Sequence, residues 1–325
     1  MVIVTYGDRF NFLSQVVSRV FEEGANQILI VDNNSVPSSK EKLAELERSD
    51  TRITAFYNEE NLGSAGAYVQ ILKYAYERGE EAYYWFLDDD NLPKIGALME
   101  LKKAEKALTV EFQSPVLYSY RGESWQEDRE AVKKGVVKGP RVNSYCGFEL
   151  VDFLKSVITR HKTIESQKVN FPIVEVKWGP YGGLFSKLSN LKRIGLPNKE
   201  FFLYADDQEF TLRFSKLNIP QYLIYGSQIQ DLDQSIGEGG GYFSESTSGM
   251  KLFYGVRNTV YLSAKTVDNW AVYHLNRIAF KLLLNLNAAK NYFKNPKFVQ
   301  KRKRLLNLAM SDGENGILGK TFREI

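Results

Sequence analysis

The sequence predicts an α/β fold with a doubly wound, mostly parallel sheet. Over residues 1–90, apolar segments rich in β-branched residues alternate with segments of helical periodicity, which is the pattern of repeated strand–helix units. Several of the apolar segments run directly into Asp or Asn, as expected where parallel strands bring ligand-binding residues to one edge of a sheet. From residue 254 onward the pattern is mainly helical, so we expect a helical C-terminal region.

The predicted elements follow the chain closely. Strands are predicted at Val2–Thr5, Gln27–Val31, Arg52–Tyr57 and Ala82–Leu87, with helices at Asn11–Glu23, Ser39–Ser49 and Gly63–Arg78. Further on, we predict strands at Val116–Tyr120, Val174–Trp178, Tyr222–Tyr225 and Ser227–Gln230, helices at Leu188–Ile194 and Glu209–Lys216, and a strand or short helix at Phe148–Val157. Residues 121–139 are predicted to be a charged surface segment, 201–204 a strand-like run, and 237–241 a flexible glycine loop.

The composition favours a soluble globular protein with one large domain and an appendage, or with two domains. The 325 residues are 43% hydrophobic and 25% charged. The single cysteine, Cys146, excludes a disulfide framework, and two histidines, His161 and His274, argue against a multi-histidine zinc site. The N-terminus enters a strand without a basic leader, and no apolar run suits a spanning helix, so a cytoplasmic location is expected.

The positive charge is concentrated near the C-terminus. The formal net charge is +4, yet 269–311 contains no acidic residue. Its basic residues are Arg277, Lys281, Lys290, Lys294, Lys297, Lys301, Arg302, Lys303 and Arg304. The rest of the chain is therefore net acidic, and the basic region points to a polyanionic surface, either a membrane or a nucleic acid.

Three consecutive carboxylates, Asp88, Asp89 and Asp90, follow the apolar run Trp85–Leu87. Carboxylates this close repel one another unless a cation or solvent relieves them. Their oxygen atoms suit Mg²⁺ or Mn²⁺, which are often shared with substrate phosphates. The segment therefore indicates a metal–phosphate site, and the alternative is a solvated acidic turn.

Two other segments at strand and helix ends are candidate ligand contacts. Asp32 follows a buried strand and could accept a hydrogen bond from a nucleobase imide or a ribose hydroxyl, or it could cap a turn or helix. The small residues of 61–67 open a helix whose N–H groups could approach a phosphate or sugar. This segment lacks the G-x-G-x-x-G pattern, and a capped helix packed on the sheet is the alternative.

The acidic pair Asp206 and Asp207 is a candidate site for a general base. One of two adjacent acids can have a raised pKa and accept a proton, or the pair could cap a helix and bind Arg213. Arg257 could bind a diphosphate through its guanidinium group. Alternatively, Arg257 could form an ion pair that only stabilises the fold.

Taken in order, these motifs resemble the family 2 nucleotide-sugar glycosyltransferases of GT-A fold. The matching segments are Val4–Tyr6, Val31–Asn33, Asn61–Gly63, Leu87–Asp90, Gly182–Gly183 and Asp206–Asp207. The resemblance covers residues 1–260, which we expect to form the transferase domain, with 261–325 as a basic helical region. Within the family, the chain looks most like bacterial galactofuranosyl- and rhamnosyltransferases of cell-surface polysaccharides such as O-antigen.

The resemblance implies a role for each candidate residue. Donor binding would fall to Thr5, Tyr6, Asp32, Asn61, Gly63, Asp88, Asp89 and Arg257, and acceptor binding to Trp178, Gly182, Gly183 and Asp206. Asp207 would be the catalytic base. Mn²⁺ or Mg²⁺ would bind Asp88 and Asp90. The family often adds a histidine ligand where this chain has Asp231, so Asp231 or Asp233 would replace it, or the triple Asp would hold the metal alone.

The resemblance thus implies an inverting, metal-dependent transfer from a UDP- or dTDP-sugar, with galactofuranose or rhamnose favoured, to a lipid-linked glycan. The basic segment 269–310 would then contact the inner face of the cytoplasmic membrane, and packing on the core or a homo-oligomer interface is the alternative. A nucleotidyltransferase is a second hypothesis. Such an enzyme usually needs a glycine-rich, basic phosphate-binding loop near the N-terminus, and residues 5–9 match that pattern poorly. A nucleic-acid-binding protein using Lys301–Arg304 is a third, and it leaves the strand-terminal acids unexplained.

Overall fold

The computed structural model describes residues 1–110, 113–122, 125–137, 139–158, 169–233 and 241–324. The chain divides into two compact units. Unit 1 comprises residues 1–139, 167–199 and 207–237, and unit 2 comprises 140–166, 200–206 and 238–325. A domain boundary is predicted after residue 260. In the structure, residues 140–166, 200–206 and 238–260 cluster with the C-terminal helices in unit 2.

The first half of unit 1 is a parallel α/β array, as predicted. Its elements are β1 (Val2–Gly7), α1 (Phe10–Glu22), β2 (Ile28–Ser35), α2 (Pro37–Ser49), β3 (Ile53–Tyr57), α3 (Gly63–Arg78) and β4 (Tyr83–Asp88). The strands lie in the order β3–β2–β1–β4, all parallel. The carboxyl ends of β1 to β4 therefore share one edge of the sheet.

The second half of unit 1 extends the sheet with mixed pairing. It contains β5 (Asn91–Pro93), α4 (Ala97–Leu108), β6 (Val116–Tyr120), α5 (Gln126–Lys134), β7 (Ile173–Glu175), β8 (Leu184–Lys187), α7 (Leu188–Ile194), α8 (Asp206–Lys216) and β9 (Gln221–Asp231). The order continues β4–β8–β6–β9–β5, with β7 on β9. Only the β6–β9 pair in this half is parallel, among the described residues.

The structure differs from the prediction at short elements. The strands β5 and β8 and the helix α4 were not predicted, and the two strands expected in 222–230 form the single strand β9. The strand-like run 201–204 is not a strand. A 3-10 turn, Lys199–Phe201, precedes Phe202, Tyr204 and Ala205, which adopt positive φ angles of 64°, 66° and 59°. Short strands carry too few residues for a period-2 pattern to identify them.

Strands β1, β2 and β4 have buried residues on both faces. Val2, Val31 and Phe86 pack in one hydrophobic cluster with residues of α3, while Ile3 and Ile30 pack in the other with residues of α1. This two-sided burial explains why the strands are continuous apolar runs rather than alternating ones. Each fully buried aliphatic side chain contributes about 1.5–3 kcal/mol, so the strand register, and with it the polar edge, is strongly fixed.

Unit 2 is mainly helical. Its helices are α6 (Leu150–Ile158), α9 (Gly249–Ala264), α10 (Trp270–Tyr292) and α11 (Pro296–Asn315), and its core includes Tyr145, Phe253, Phe280 and Leu306. Asn269 and Asn295 cap α10 and α11 by accepting backbone N–H groups. Within the described ranges, no helix combines the length and apolar character that a membrane crossing requires. His161 and residues 237–240 of the predicted glycine loop lie outside these ranges.

Candidate active site

The strand register aligns the polar residues at the carboxyl edge of the sheet. Thr5 pairs with Asp32, Asp32 pairs with Tyr57, and Val4 pairs with Asp88. In open α/β sheets this edge is where ligands bind. The side chains that the sequence singled out at three separate strand ends therefore lie in one row.

Asp32 is a buried carboxylate with one oxygen left open. Its Oδ1 accepts a hydrogen bond from the Ser35 backbone N–H at 2.9 Å. Its Oδ2 is buried and has no hydrogen-bond partner among the described residues, and the nearest cation, Lys40 Nζ, is 3.8 Å away. A buried acceptor without a donor is costly, so a ligand N–H or O–H group would complete this site.

Two half-exposed tyrosines lie near Asp32. Tyr6 follows Thr5 on β1, and Tyr57 is the last residue of β3, with 42% and 41% of their surfaces exposed. The Tyr57 hydroxyl donates to Glu47 Oε2 at 3.0 Å, and burial together with this carboxylate raises the Tyr57 pKa. Aromatic faces beside an open acceptor suit a nucleobase. Tyr57 was not predicted, although its place at a strand end was the available signal.

The Asn61–Gly63 loop is tied to the end of β2. Asn33 Nδ2 donates to Asn61 Oδ1 at 3.1 Å and to the Gly63 carbonyl at 3.0 Å, and Asn61 Oδ1 also accepts the Gly63 N–H at 2.8 Å. Gly63 has a φ of 72°, which favours glycine. These contacts fix the start of α3 beside Asp32, where the sequence expected a donor-binding segment.

Arg9 neutralises one side of the acidic cluster. Its guanidinium contacts Asp89 Oδ1 at 2.8 Å, Asp90 Oδ2 at 2.8 Å and Asp233 Oδ2 at 2.6 Å. Thr5 Oγ1 donates to the other oxygen of Asp89 at 2.7 Å. Asp89 is thus buried and held by two donors. The sequence prediction judged the loop containing Arg9 only as a phosphate loop and did not include this arginine.

Arg121 and Asn91 bring Asp231 to the other side of the cluster. Arg121 Nη2 and Asn91 Nδ2 both donate to Asp231 Oδ1 at 2.8 Å. Arg121 Nη1 lies 3.9 Å from Asp88 Oδ2, and Asn91 Oδ1 accepts the Asp88 N–H at 3.0 Å. The β5–β9 ladder pairs Asn91 with Asp231. The carboxylate of Asp231 is therefore positioned by one strand that was not predicted, β5, and by one that was predicted as two strands, β9.

The cluster carries more negative than positive charge. Among the described residues, the carboxylates of Asp88, Asp89, Asp90, Asp231 and Asp233 are in contact with only two guanidinium groups, Arg9 and Arg121. Burial raises the pKa of Asp89 to about 7. Burial and the charge of Asp88 raise the pKa of Asp90 to about 6. Burial, then Asp231 and Asp207, also raise the pKa of Asp88.

This excess of desolvated carboxylate fits a hard divalent cation by charge and by donor chemistry. The arrangement does not close around one: in the part of the chain that the structure describes, no three carboxylate, histidine or cysteine side chains are grouped so that they could hold a metal ion. The oxygen atoms of Asp90 and Asp231 point at arginines instead. Binding a cation would therefore require these pairs to rearrange.

Gly182 and Gly183 approach this cluster too closely for any side chain. A Cβ on Gly182 would lie 2.3 Å from Asn91 Oδ1, 2.6 Å from Arg121 Nη1 and 3.0 Å from Asp88 Oδ2. Gly183 has a φ of 102°, and its Cβ would meet Ser119. The pair is predicted to shape the acceptor site, and Gly182 is the one of the two whose closest neighbours belong to or contact the acidic cluster.

Asp207 lies near the cluster at the start of α8. Its Oδ1 accepts the Gln208 N–H at 2.7 Å, and its charge contributes to the raised pKa of Asp88. Arg213, the alternative partner for the acidic pair, binds Glu209 and the carbonyl groups of Ile194 and Leu196 instead. Asp206 is buried and belongs to unit 2.

Trp178, the remaining predicted acceptor contact, is half-buried and precedes a loop tied to α8. Thr211 Oγ1 of α8 accepts the Gly179 N–H at 3.2 Å and lies 2.9 Å from the Gly179 carbonyl. These contacts anchor the loop that leads from Trp178 to Gly182.

Arg257 does not have the position expected of a diphosphate clamp. The residue is fully buried in unit 2, where its guanidinium donates to the carbonyl groups of Phe201 at 3.0 Å and Gly319 at 2.6 Å. Asn258 binds the carbonyls of Phe201, Leu203 and Tyr204. The prediction for Arg257 is corrected to a structural role, because the donors stabilise a turn with positive φ angles.

The comparisons with known proteins agree with this fold. A sequence model described as Glycosyl transferase family 2 matches residues 1–160, which is the family that the sequence motifs resemble. No curated protein sequence matches the chain.

Among solved structures, GalNAc-T7 with UDP, GalNAc and Mn²⁺ aligns with a TM-score of 0.51 and 15% identity, over 79% of this chain and 46% of that one. A 1–349 fragment of S. aureus TarS aligns at 0.49 and 12%, over 97% and 90%. The mannosyltransferase PcManGT from Pyrobaculum calidifontis with GDP-Man and Mn²⁺ aligns at 0.48 and 12%, over 97% and 86%. The chain thus spans less than half the length of GalNAc-T7, and the predicted GT-A type of α/β fold is confirmed.

Proposed function

We propose that this protein transfers a sugar from a nucleoside-diphosphate donor to a hydroxyl group of a glycan, with inversion at the anomeric carbon. The observation that carries the proposal is the row of side chains at one sheet edge. The open, buried oxygen of Asp32 is followed along that edge by a cluster of five carboxylates at the ends of β4 and β9, with Asp207 close to Asp88.

The nucleotide would bind at the β2 and β3 ends. Uracil and thymine each present an imide N–H, which the open Oδ2 of Asp32 could accept while Tyr6 or Tyr57 stacks on the ring. UDP or dTDP is therefore favoured, and the UDP in the GalNAc-T7 structure is in keeping with this. Thr5, Asn61 and Gly63 would support the ribose and phosphates through the adjoining backbone.

Asp88 and Asp90, together with Asp231, would hold Mn²⁺ or Mg²⁺ beside the donor diphosphate. When bound, such an ion neutralises the departing nucleoside diphosphate. Arg9 would keep Asp89 and Asp233 compensated, and Arg121 would have to release Asp88 and Asp231 to the ion. Asp89, already held by Thr5 and Arg9, would face the ribose or sugar.

Asp207 would act as the general base. Its carboxylate would take the proton of the acceptor hydroxyl as that oxygen bonds to the anomeric carbon and the bond from this carbon to the diphosphate oxygen breaks. A single in-line displacement inverts the anomeric centre. Trp178, Gly182, Gly183 and Asp206 would line the acceptor side. The preference for galactofuranose or rhamnose, a lipid-linked glycan acceptor and a cytoplasmic location rest on the motif resemblance.

A screen of UDP- and dTDP-sugars for slow hydrolysis, with Mn²⁺, with Mg²⁺ and with EDTA, tests the proposal. We expect hydrolysis of at least one donor that requires the metal, and a loss of about 10²–10⁴-fold in transfer for Asp207→Asn, which keeps the shape and removes the base. Asp152→Asn, an exposed change in α6, is the control.

Near wild-type transfer by Asp207→Asn would remove Asp207 as the base. Absence of any binding or hydrolysis across the donors, combined with diphosphate release from a nucleoside triphosphate and a sugar phosphate, would favour a nucleotidyltransferase instead.

A further inference from the structure

Helix α10 exposes a stripe of large apolar side chains. Val272, Leu275, Ile278, Leu282, Leu286 and Phe293, the C-cap residue, are 42% to 91% exposed. Their spacing of three, four and seven residues places them along one face of the helix. Apolar residues scattered singly on a surface need no explanation, but a contiguous patch marks an interaction site.

The stripe is not the face that α10 uses to fold. Tyr273, Phe280, Leu284 and Ala288 are buried in the core of unit 2, and Asn276 binds the Leu150 N–H and the Asn143 carbonyl. These residues project about half a turn away from Leu275, Leu282 and Leu286. The helix is therefore apolar on two faces, and only one of them has a partner within unit 2.

The neighbouring helix α6 extends the exposed apolar surface. Val151, Leu154, Val157 and Ile158 of α6 are 48% to 80% exposed. The Leu150 contact with Asn276 and a groove lined by Phe153 and Leu283 join α6 to α10. A helix of nine residues without a single buried side chain gains little by packing on its own unit, so it too is suited to an external surface.

Basic side chains predominate on α10 and α11, while Glu149 and Asp152 line the groove at α6 and Asp152 lies 3.8 Å from Lys155. Lys290, Lys294, Lys297, Lys301, Lys303 and Arg304 are exposed, and none has an acidic partner in the described ranges. Lys303 lines a groove with Lys281 and Asn285 beside the stripe. Glu314 neutralises only Arg277 and Lys281. The sequence 269–311 adds no acidic residue.

We infer that this face of unit 2, the α10 stripe with the exposed residues of α6, lies on an anionic phospholipid surface. Apolar side chains enter the boundary between headgroups and acyl chains while lysines remain at the level of the phosphates. The inference rests on the proposed function only in that a lipid-linked acceptor would be met at such a surface. The inference specifies which residues of 269–310 contact the lipid. Tyr273, Phe280 and Leu284 are not among them, because they are buried in the core of unit 2.

Charge complementarity favours a lipid surface over a second copy of the chain. A second copy of this face would bring the same basic residues and no acidic residue from 269–311, so an isologous pairing of two α10 stripes would leave the positive charges uncompensated. A nucleic acid would use the lysines but would leave the apolar stripe in water.

Flotation of the full-length protein with lipid vesicles tests the inference. Vesicles of phosphatidylcholine alone are compared with vesicles that also contain phosphatidylglycerol. We expect flotation only with the anionic vesicles, and a loss of at least about tenfold in the bound-to-free ratio for Ile278→Gln/Leu282→Gln/Leu286→Gln, because three apolar side chains would no longer enter the bilayer. Ile95→Gln/Met99→Gln, at exposed apolar positions of unit 1, should float like the wild type.

Equal flotation of the triple variant, or none of the wild-type protein, would overturn the inference. So would a dimer, detected by sedimentation velocity, that the triple variant makes monomeric, since the stripe would then face a second copy. Donor hydrolysis separates this result from the proposed function: the triple variant should hydrolyse donor at the wild-type rate, and a protein that floats without hydrolysing any donor would contradict the function alone.

Discussion

The carboxylates at the ends of β2 and β4 lie along one sheet edge and are compensated in opposite ways. Asp32 has one buried oxygen without a hydrogen-bond donor. Asp89 and Asp90 are bound by Arg9, and Asp231 by Arg121. The carboxylate of Asp32 keeps an oxygen open to a ligand group, whereas the β4 and β9 carboxylates would have to release their arginines before they could bind the proposed cation. One sheet edge thus carries an open carboxylate oxygen beside carboxylates that arginines already compensate.

Removing Arg9 should have the largest effect, because it takes away the cation that compensates one side of the carboxylate cluster. Arg9→Gln leaves Asp89, Asp90 and Asp233 without their shared cation, and breaking a partly buried ion pair costs about 3–5 kcal/mol. Without added metal, the free energy of unfolding measured in urea should fall by roughly that amount. Arg19→Gln, at a surface pair with Glu22, should change it by less than about 1 kcal/mol. If both variants lose equally little, Arg9 does not compensate the cluster.

Gly182→Ala should have the second largest effect, in this case on sugar transfer. The added Cβ would collide with Asn91, Arg121 and Asp88, so the cluster must shift, and we expect transfer to fall by about 100-fold, or about 2.7 kcal/mol. Gly241→Ala, where a Cβ meets nothing within 4 Å, is the matched control. The test is to measure the steady-state kinetics of transfer for both variants. An unchanged rate for Gly182→Ala would mean that Asn91, Arg121 and Asp88 lie outside the active site.

Asp32→Asn should separate binding from stability. Loss of the open acceptor should weaken nucleotide binding by about tenfold, or about 1.4 kcal/mol, in calorimetric titration with UDP and dTDP. Because the variant also removes a buried charge with an unsatisfied oxygen, the ligand-free protein should be no less stable than the wild type. Tighter binding by Asp32→Asn, or marked destabilisation, would contradict a role for Asp32 as an open ligand acceptor.

The pH dependence of stability should show the smallest effect. Burial raises the pKa of Asp89 to about 7 and of Asp90 to about 6, above the value of about 4 in an unfolded chain. The folded protein then binds more protons between these values, so its stability falls as pH rises from 5 to 8. In EDTA, the melting temperature should drop by a few degrees over this range, and Asp89→Asn should reduce the slope. A rising melting temperature would show that the arginines outweigh burial.

Residue patterns were most informative where strands were long and apolar. The bounds of α3 were predicted as observed, and the ends of β2 and β4 were predicted within a few residues, because two-sided burial requires continuous apolar runs. Asp32 and Asp88 were predicted for that reason, whereas Asp207 follows the apolar run 201–204, which is not a strand. Arg121 directly follows β6 and Arg9 lies two residues after β1, so their places near strand ends were the available signal for these two arginines.

Patterns of neighbouring residues were sufficient to predict the α/β order, the acidic strand ends and the basic, acid-free C-terminal segment. They could not predict which charged side chains come into contact in the folded chain. The pairing of Asn91 with Asp231, the two arginine contacts and the burial of Arg257 depend on contacts between residues far apart in the chain. The same holds for α10, whose composition showed that it is apolar and basic, while packing decided which face is buried and which remains exposed.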